Sequence, residues 1–304
     1  MVAKIVVVGS FNADLVTDLE RIPRPGETVF GQRFVTVAGG KGSNQAVACA
    51  RLGAQVTFVG CVGQDNLAEL GLALWQHEGI RTHLVARSAT QATGVAVIFV
   101  ETGGQNVIVV TPGANNEVTA QQVEQARQAI AEADFVLAPL ETPLEGIQHA
   151  FAIAQAHNVR TILNPAPARP LPAELLALCD YLTPNEHELA LIAPQQSAEQ
   201  AASSLLSRPQ QALIVTLGEQ GAHAYGADGR REAVPAFAVD VLDTVGAGDA
   251  FNGGLAVALA EGAPMPQALR FANAVAALSV TRRGAADSMP IRSEVEAFLA
   301  ARTP

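Results

Sequence analysis

The segment DTVGAGDAFNGG, residues 243–254, combines four glycines and two aspartates near the start of a predicted helix. Gly246, Ala247 and Gly248 are small enough for their backbone amides to face outward, and the first N–H groups of a helix attract an anion. Asp249 would repel a resting phosphate, but it suits a general base that deprotonates a hydroxyl attacking phosphorus. The segment therefore predicts an anion hole beside a catalytic aspartate. The alternative is that Asp249 only caps the helix.

The same segment fits a dinucleotide-binding fingerprint poorly. That fingerprint, GxGxxG, needs a third glycine where this chain has Phe251, and it should follow an early strand instead of lying near the C-terminus. A hydride-transferring dehydrogenase is therefore the weaker interpretation.

A second glycine-rich segment, AGGKGSNQA at residues 38–46, is not a phosphate-binding P-loop. That motif would need a glycine in place of Val35 and a hydroxyl in place of Gly42. We expect the glycines to let a ligand approach a helix start closely, with Lys41 and Asn44 as hydrogen-bond donors. A plain helix-entry loop is the alternative.

The segment GSFNAD, residues 9–14, follows the first predicted strand. Ligands of open α/β sheets bind beyond the carboxyl ends of strands, and Asn12 and Asp14 suit hydrogen bonds to a polyol. An ordinary turn explains the same residues.

Two further segments also follow predicted strands. TPNEHE, residues 183–188, comes after the strand CDYLT and offers oxygen ligands of the kind that hold magnesium through water beside phosphates. VTLGEQGA, residues 215–222, contains small residues that leave room for a nucleotide near the backbone. A capped helix start and a tight turn are the respective alternatives.

Alternating strands and helices must position these segments. Short unbroken apolar runs predict buried parallel strands at 5–8, 56–59, 135–138, 161–163 and 213–216. Apolar spacing of three to four residues predicts helices at 42–52, 67–78, 120–132, 144–157, 247–261, 265–281 and 291–301. The fold class is therefore α/β, with a central, mostly parallel sheet covered by helices on both faces in Rossmann-type layering.

Two stretches, 15–37 and 94–110, interrupt that alternation, because strand-like runs in them are joined by Pro-Gly or Gly-Gly turns without a helix. They predict a small antiparallel β-sheet that serves as a lid over a cleft and as a homodimer contact. The predicted division is an α/β body at 1–12, 42–90 and 112–304, and a lid at 13–41 and 91–111.

Composition excludes several classes of partner. The formal net charge of -10 argues against binding to nucleic acid or to an anionic membrane. Cys49, Cys61 and Cys179 are far apart and form no CxxC pair, which fits reduced thiols in a cytoplasmic protein. The apolar run near the N-terminus is too short for a signal-peptide core.

In their order along the chain, GSFNAD, AGGKGSNQA, TPNEHE, VTLGEQGA and DTVGAGDAFNGG resemble the functional segments of the ribokinase/PfkB carbohydrate kinase family. LETPLE (140–145), NPAPARPLP (164–172) and VTRRGAADS (280–288) are similar to the ribokinase branch more than to the fructose or adenosine branches. The resemblance implies ATP-dependent phosphorylation of D-ribose at O5, with magnesium as cofactor and a lid sheet that joins two subunits.

The resemblance also assigns roles to individual residues. Asp249 corresponds to the base, and Gly246, Ala247 and Gly248 correspond to the anion hole. The sugar-binding positions are Asn12, Asp14, Gly40, Lys41, Asn44 and Glu141, together with Asp249. Asn185 and Glu188 correspond to a pair tied to magnesium and phosphate. The ATP-binding positions are Thr216, Gly218, Gly221, Gly248 and Asn273.

A monovalent cation, usually potassium, activates ribokinases of this family beside the anion hole. The matching positions, most of which would offer backbone carbonyls, are Asp243, Val245, Ser279, Arg282, Gly284 and Ser288. The alternatives are a kinase for 2-deoxyribose or for a nucleoside such as adenosine, and a non-catalytic sugar-sensing module of the same fold.

Overall fold

Thirteen strands form two separate sheets in a computed structural model that describes residues 2–103 and 105–302. Gly104, in the predicted lid turn, and residues 1, 303 and 304 of the predicted body lie outside the described residues. In chain order the strands are β1 (Lys4–Val8), β2 (Asn12–Leu19), β3 (Gly31–Gly39), β4 (Gln55–Val62), β5 (Arg81–Arg87), β6 (Gly94–Glu101), β7 (Asn106–Thr111), β8 (Phe135–Pro139), β9 (Arg160–Asn164), β10 (Tyr181–Leu182), β11 (Ala212–Thr216), β12 (Ala222–Gly226) and β13 (Arg231–Val234).

The larger sheet has nine strands in the order β13-β12-β11-β10-β9-β8-β1-β4-β5. Its strands are parallel from β5 to β11, and β12 and β13 add an antiparallel edge. This confirms the predicted mostly parallel sheet. The apolar-run criterion did not find β5, β12 and β13, because they lie toward the two edges of the sheet and carry polar residues in place of unbroken apolar runs.

Eleven α-helices are present among the described residues, and they are α1 (Lys41–Arg51), α2 (Asn66–His77), α3 (Ala120–Glu124), α4 (Arg127–Ala131), α5 (Leu144–Ala156), α6 (Ala173–Leu178), α7 (Glu186–Ile192), α8 (Ala198–Leu205), α9 (Ala247–Ala260), α10 (Met265–Ser279) and α11 (Arg292–Ala300). The single helix predicted over 120–132 is instead divided into α3 and α4. At the break, the N–H groups of Gln125 and Ala126 donate to carbonyls three residues earlier, which tightens the turn.

Helices cover both faces of the large sheet, as β1 illustrates. Ile5 and Val7 pack into one apolar cluster with α1, α9 and α10. Val6 and Val8 point the other way, into a cluster with α3, α4 and α5. Because strand side chains alternate between faces, an unbroken apolar run is what a doubly covered strand requires.

The smaller sheet has four strands in the order β3-β2-β6-β7. Both predicted hairpins are antiparallel, whereas β2 and β6 at the junction between them are parallel. These two strands both lead away from the body, since Asn12 pairs with Gly94 where each strand begins. The sheet thus starts at Asn12, one residue before the predicted lid. None of the described helices is long and apolar enough to cross a membrane.

Candidate active site

The predicted site residues converge at the carboxyl ends of the parallel strands, where two adjoining cavities lie. A small cleft of about 180 Å³ contains Lys41, Glu188 and Asp249. A larger groove of about 880 Å³ shares five residues with the cleft: Asn185, Thr216, Thr244, Ala247 and Gly248. A separate cavity of about 400 Å³ at the opposite end of the sheet contains none of the predicted residues. The geometry is that of a small substrate site opening into a longer one.

Asp249 is buried in the first turn of α9, with 5% of its surface exposed. Its carboxylate accepts hydrogen bonds from Asn44 Nδ2 at 3.0 Å and from Gln45 Nε2 at 2.9 Å. Gly246, not Asp249, is the N-cap of α9, so the helix-capping alternative is wrong. Burial raises the pKa of Asp249, while the Lys41 ammonium and the two amide donors oppose that rise.

The N-terminus of α9 provides free backbone donors beside Asp249. The N–H groups of Gly246, Gly248 and Asp249 have no acceptor in the part of the chain that the structure describes. Ala247 differs from the other predicted anion-hole residues, because its N–H donates to the Thr244 carbonyl at 3.2 Å. A Cβ at Gly248 would meet nothing within 4 Å, so this glycine borders open space. This arrangement suits an anion placed over the helix start.

Acidic groups surround the Lys41 ammonium. The nearby Asp249, Glu141 and Glu188 carboxylates raise the pKa of Lys41, against the effect of burial. Burial, together with the charges of Glu141 and Asp249, raises the pKa of Asp14 to about 7. Among the described residues, no group donates a hydrogen bond to the Asp14 carboxylate. Asp14 is therefore a carboxylate whose ionised form still needs donors, such as the hydroxyls of a ligand.

Glu141 joins the first strand to the first helix. Its Oε2 accepts hydrogen bonds from the Ser10 hydroxyl and from the Lys41 backbone N–H. The acceptor at the first residue of α1 is favourable because a helix N-terminus attracts negative charge. Glu141 thus lies between the segments that carry Asn12 and Lys41.

The glycines at 39 and 40 make room for neighbouring atoms of the chain itself. A Cβ on Gly39 would lie 2.2 Å from Asp14 Oδ2, and one on Gly40 would lie 2.7 Å from the Asn12 backbone nitrogen. Gly40 also has a φ of 87°, which favours glycine. Both glycines let the end of β3 pass against the residues at the start of β2, and so they position the sugar-site residues indirectly.

Asn185 and Glu188 form a capping box at the start of α7. Asn185 Oδ1 accepts from the Glu188 N–H, and Glu188 Oε2 accepts from the Asn185 N–H, both at 2.8 Å. The capped helix start is thus confirmed. It leaves Glu188 Oε1 and Asn185 Nδ2 for other partners.

The donor set beside this capping box fits a hydrated magnesium ion. No group of three or more His, Cys, Asp or Glu within residues 2–103 and 105–302 is arranged to hold a metal. Magnesium retains water and bridges substrate phosphates, so one or two carboxylates are enough. Of the predicted magnesium pair, Asn185 and Glu188, both residues line the cleft, and Glu188 supplies one such carboxylate.

All five predicted ATP-binding residues line the larger groove: Thr216, Gly218, Gly221, Gly248 and Asn273. Gly218 faces open space, whereas a Cβ on Gly221 would lie 2.2 Å from the Val234 carbonyl. Asn273 Nδ2 donates to the carbonyls of Val234 and Pro235 at 3.0 and 3.1 Å. Gly221 and Asn273 therefore also hold the end of β13 against α10.

The predicted cation positions lie on two loops that Asp243 connects. Its Oδ1 accepts from the Val245 N–H at 3.0 Å and its Oδ2 from the Gly284 N–H at 2.9 Å. The hydroxyls of Ser279 and Ser288 donate to the local carbonyls of Ala276 and Ala285. The side chain of the sixth predicted residue, Arg282, pairs with Glu294. The loops that would surround a cation are thus fixed in place by side chains.

Arg51, which the sequence analysis did not identify, anchors the second of these loops. Its Nη1 donates to the carbonyls of Ala286 at 3.0 Å and Met289 at 2.8 Å, while its Nη2 pairs with Glu78. Gln45 and Asn115 were missed as well. Gln45 directly follows Asn44 at a helix start, so its position was a usable signal.

Comparison with known proteins agrees with this geometry. Residues 2–292 match the family described as pfkB family carbohydrate kinase. "Ribokinase" from Bacillus subtilis (strain 168) is 43% identical over 295 residues, covering 97% of this chain and 99% of the relative. "Deoxyribokinase" from Salmonella typhi is 35% identical over 301 residues, covering 97% and 98%.

A solved structure extends the comparison to three dimensions. Arabidopsis thaliana ribokinase complexed with ribose and ATP aligns with a TM-score of 0.91 at 33% identity, covering 98% of this chain and 99% of that one. The similarity therefore includes both sheets and the whole candidate site. The chain belongs to the pfkB family of carbohydrate kinases.

Proposed function

We propose that this protein transfers the γ-phosphoryl group of ATP to O5 of D-ribose, giving D-ribose 5-phosphate and ADP. The observation that carries the proposal is the buried Asp249 carboxylate at the start of α9, next to unpaired backbone N–H groups. The ribokinase relative and the ribose and ATP of the Arabidopsis complex support the choice of substrates.

In this reaction the protein mainly positions the substrates and stabilises charge. Asp249 accepts the proton of the sugar's primary hydroxyl as the oxygen attacks phosphorus in line. The N–H groups of Gly246, Gly248 and Asp249 donate to the charge that develops on the transferred group. Lys41 lies among the carboxylates of the cleft and adds a positive charge there.

The remaining predicted residues bind the parts of the two substrates that do not react. The sugar hydroxyls are bound by Asn12, Asp14, Asn44 and Glu141. The groove with Thr216, Gly218, Gly221 and Asn273 takes the nucleotide. Asn185 and Glu188 face the phosphates and would hold magnesium through water. The ion, when bound, neutralises phosphate charge.

We also propose that potassium binds between the loops that Asp243 connects. Its ligands would be backbone carbonyls around Val245, Ser279, Arg282 and Gly284, near Ser288. The fixed geometry of both loops supports this site. A cation there strengthens the positive potential at the start of α9, so it stabilises the negative charge on the transferred phosphoryl group.

The smaller sheet is proposed to act as a lid and as the contact of a homodimer. Its exposed apolar side chains include Phe34, Val107, Ile108, Val109 and Val110. Four of these side chains are on β7, an edge strand, and they alternate between the two faces of the sheet. Exposed apolar side chains concentrated on an edge strand are typical of a protein interface. The wild-type protein is expected to sediment as a dimer, and Val109→Asp to shift it to monomer. A monomeric wild-type protein at micromolar concentration would refute the dimer contact.

The cytoplasm is the proposed location. All three cysteines are buried and free, as in a reducing compartment, and the substrate ATP is an intracellular nucleotide.

A substrate panel tests the function. ADP release from MgATP would be measured with ribose, 2-deoxyribose, fructose and adenosine, each with potassium or with a large inert cation. We expect turnover that is selective for ribose and stimulated by potassium. Activity only with 2-deoxyribose would favour the second candidate, which the deoxyribokinase relative supports. No turnover with any of the four compounds would favour the remaining alternative, a non-catalytic sugar-sensing module.

A further inference from the structure

Asn115 lies where the chain crosses between the large and the small sheet. It is 1% exposed, and it follows β7 in the segment that returns to the body. Its Oδ1 accepts from the Phe11 N–H at 3.0 Å, and its Nδ2 donates to the Phe11 carbonyl at 2.8 Å and to Asn12 Oδ1 at 2.9 Å. These three hydrogen bonds use both N–H donors of the amide and one acceptor site of its oxygen.

The Phe11 backbone fixes which way the Asn115 amide points. If that amide were turned over, its NH₂ group would face the Phe11 N–H and its oxygen would face the Phe11 carbonyl, so two bonds would be lost. The fixed Asn115 in turn fixes Asn12, whose oxygen must face Asn115. Gly94 closes the arrangement, since a Cβ there would lie 2.3 Å from Asn115 Nδ2 and 2.5 Å from Asn12 Oδ1.

Asn12 is left with only its NH₂ group for a ligand. Its Nδ2 has no acceptor within the described part of the chain. Asn12 and Asp14 are alternate residues of β2, so both side chains project from the same face of the strand. Asn12 offers a donor, whereas Asp14, when ionised, offers only acceptors. A hydroxyl matches this pair because it accepts and donates at once, whereas the C–H of a deoxy sugar does neither.

We propose that Asn115 is a positioning residue for sugar selectivity: it holds the Asn12 amide as a donor toward a secondary hydroxyl of the sugar. This proposal deepens the proposed ribose kinase activity and rests on it. The side chain acts through Asn12 and does not touch the substrate.

The test compares Asn115→Ala with the wild type on ribose, 2-deoxyribose and 3-deoxyribose. In the variant the Asn12 amide is free to rotate. We expect the KM for ribose to rise about 5- to 150-fold, the range for a polar group left unpaired in a buried site, while kcat and the KM for ATP change less than about threefold. Selectivity for ribose over one of the two deoxy sugars should fall by the same factor. Unchanged selectivity against both deoxy sugars would overturn the proposal.

Further variants separate positioning from general destabilisation. In an Asn12→Ala background, Asn115→Ala should cause no additional loss of selectivity, because the two residues act as one unit. Gln122→Ala is the matched control, since that amide likewise donates two hydrogen bonds, but to the backbone carbonyls of Gly60 and Leu84, away from the site. It should leave selectivity unchanged. Additive losses in the double variant would contradict the proposal.

A second variant keeps the test decisive if Asn115→Ala does not fold. Asn12→Asp retains the acceptor for Asn115 Nδ2 but offers the sugar no donor, so it should lose the same selectivity. Retained selectivity would overturn the proposal. Wild-type protein that does not phosphorylate ribose would instead refute the proposed function.

Discussion

Asp249→Asn is expected to lower the turnover of ribose phosphorylation by a factor on the order of 10² or more, with both substrates still bound. The amide has almost the same shape as the carboxylate but does not accept the proton of the attacking hydroxyl. Steady-state ADP release and the equilibrium binding of ribose measure the two effects separately.

The Asp249→Asn variant should also fold normally. Asn44 Oδ1 is buried without a hydrogen-bond partner, and Asn44 Nδ2 donates only to Asp249, so the Asn44 amide can turn over and accept from the new NH₂ group. Gln45 keeps its orientation, because its Nε2 also donates to Asn164 Oδ1. Burial disfavours the charged form of Asp249 and so raises its pKa, and replacing the carboxylate with a neutral amide removes that desolvation penalty. Asp228→Asn is a suitable control, because that carboxylate lies in an exposed turn outside both cavities and bonds only to Arg230 among the described residues. Near-normal turnover of Asp249→Asn would exclude this residue as the base.

Asp14→Ala is expected to weaken ribose binding about 5- to 150-fold, which corresponds to roughly 1 to 3 kcal/mol for polar groups left unpaired in a buried site. Turnover at saturating ribose should change much less, because Asp14 contacts the sugar away from the attacking oxygen. Calorimetric titration with ribose measures the change. An affinity equal to that of the wild type would remove Asp14 from the sugar site.

The direction in which ribose affinity changes with pH tests the role of Asp14 independently. Hydroxyl donors favour the ionised carboxylate, whose pKa is about 7 without ligand, so ribose affinity should increase as the pH rises through 7.

Without ligand, the folded state holds this proton more tightly than the unfolded chain. Asp14 therefore contributes stability that is lost as the pH rises from about 4 to 7. Asp14→Asn should abolish both trends. A ribose affinity that falls with rising pH would contradict the assignment.

The sequence was sufficient for features that depend on local pattern. Buried strands such as β1 and β8 stand out because a strand covered on both faces must be apolar throughout. The hairpins of the small sheet follow from their turn residues. Likewise, the small residues before Asp249 predict a helix start with exposed amides, although only the structure reveals that Ala247 donates to Thr244.

Contacts between distant parts of the chain were beyond local pattern. Gln45 and Asp249 are 204 positions apart, and Asn115 and Asn12 are 103 apart. No spacing rule connects residues that only the topology of the sheets brings together. The same limit applies to Gly39, whose role is to make room for Asp14 on the neighbouring strand. For Gln45 and Gly39 the motif located the segment, whereas the contact that each residue makes depends on the tertiary fold. Asn115 lies in no motif at all.

The most direct test of the central claim is to identify the product that the wild-type protein forms from MgATP and ribose. Phosphorus and carbon NMR of the reaction mixture would locate the new ester. The account predicts one phosphomonoester at C5 of ribose for every ADP released. A phosphate on another ribose carbon, or ADP formed with inorganic phosphate and unmodified ribose, would contradict it.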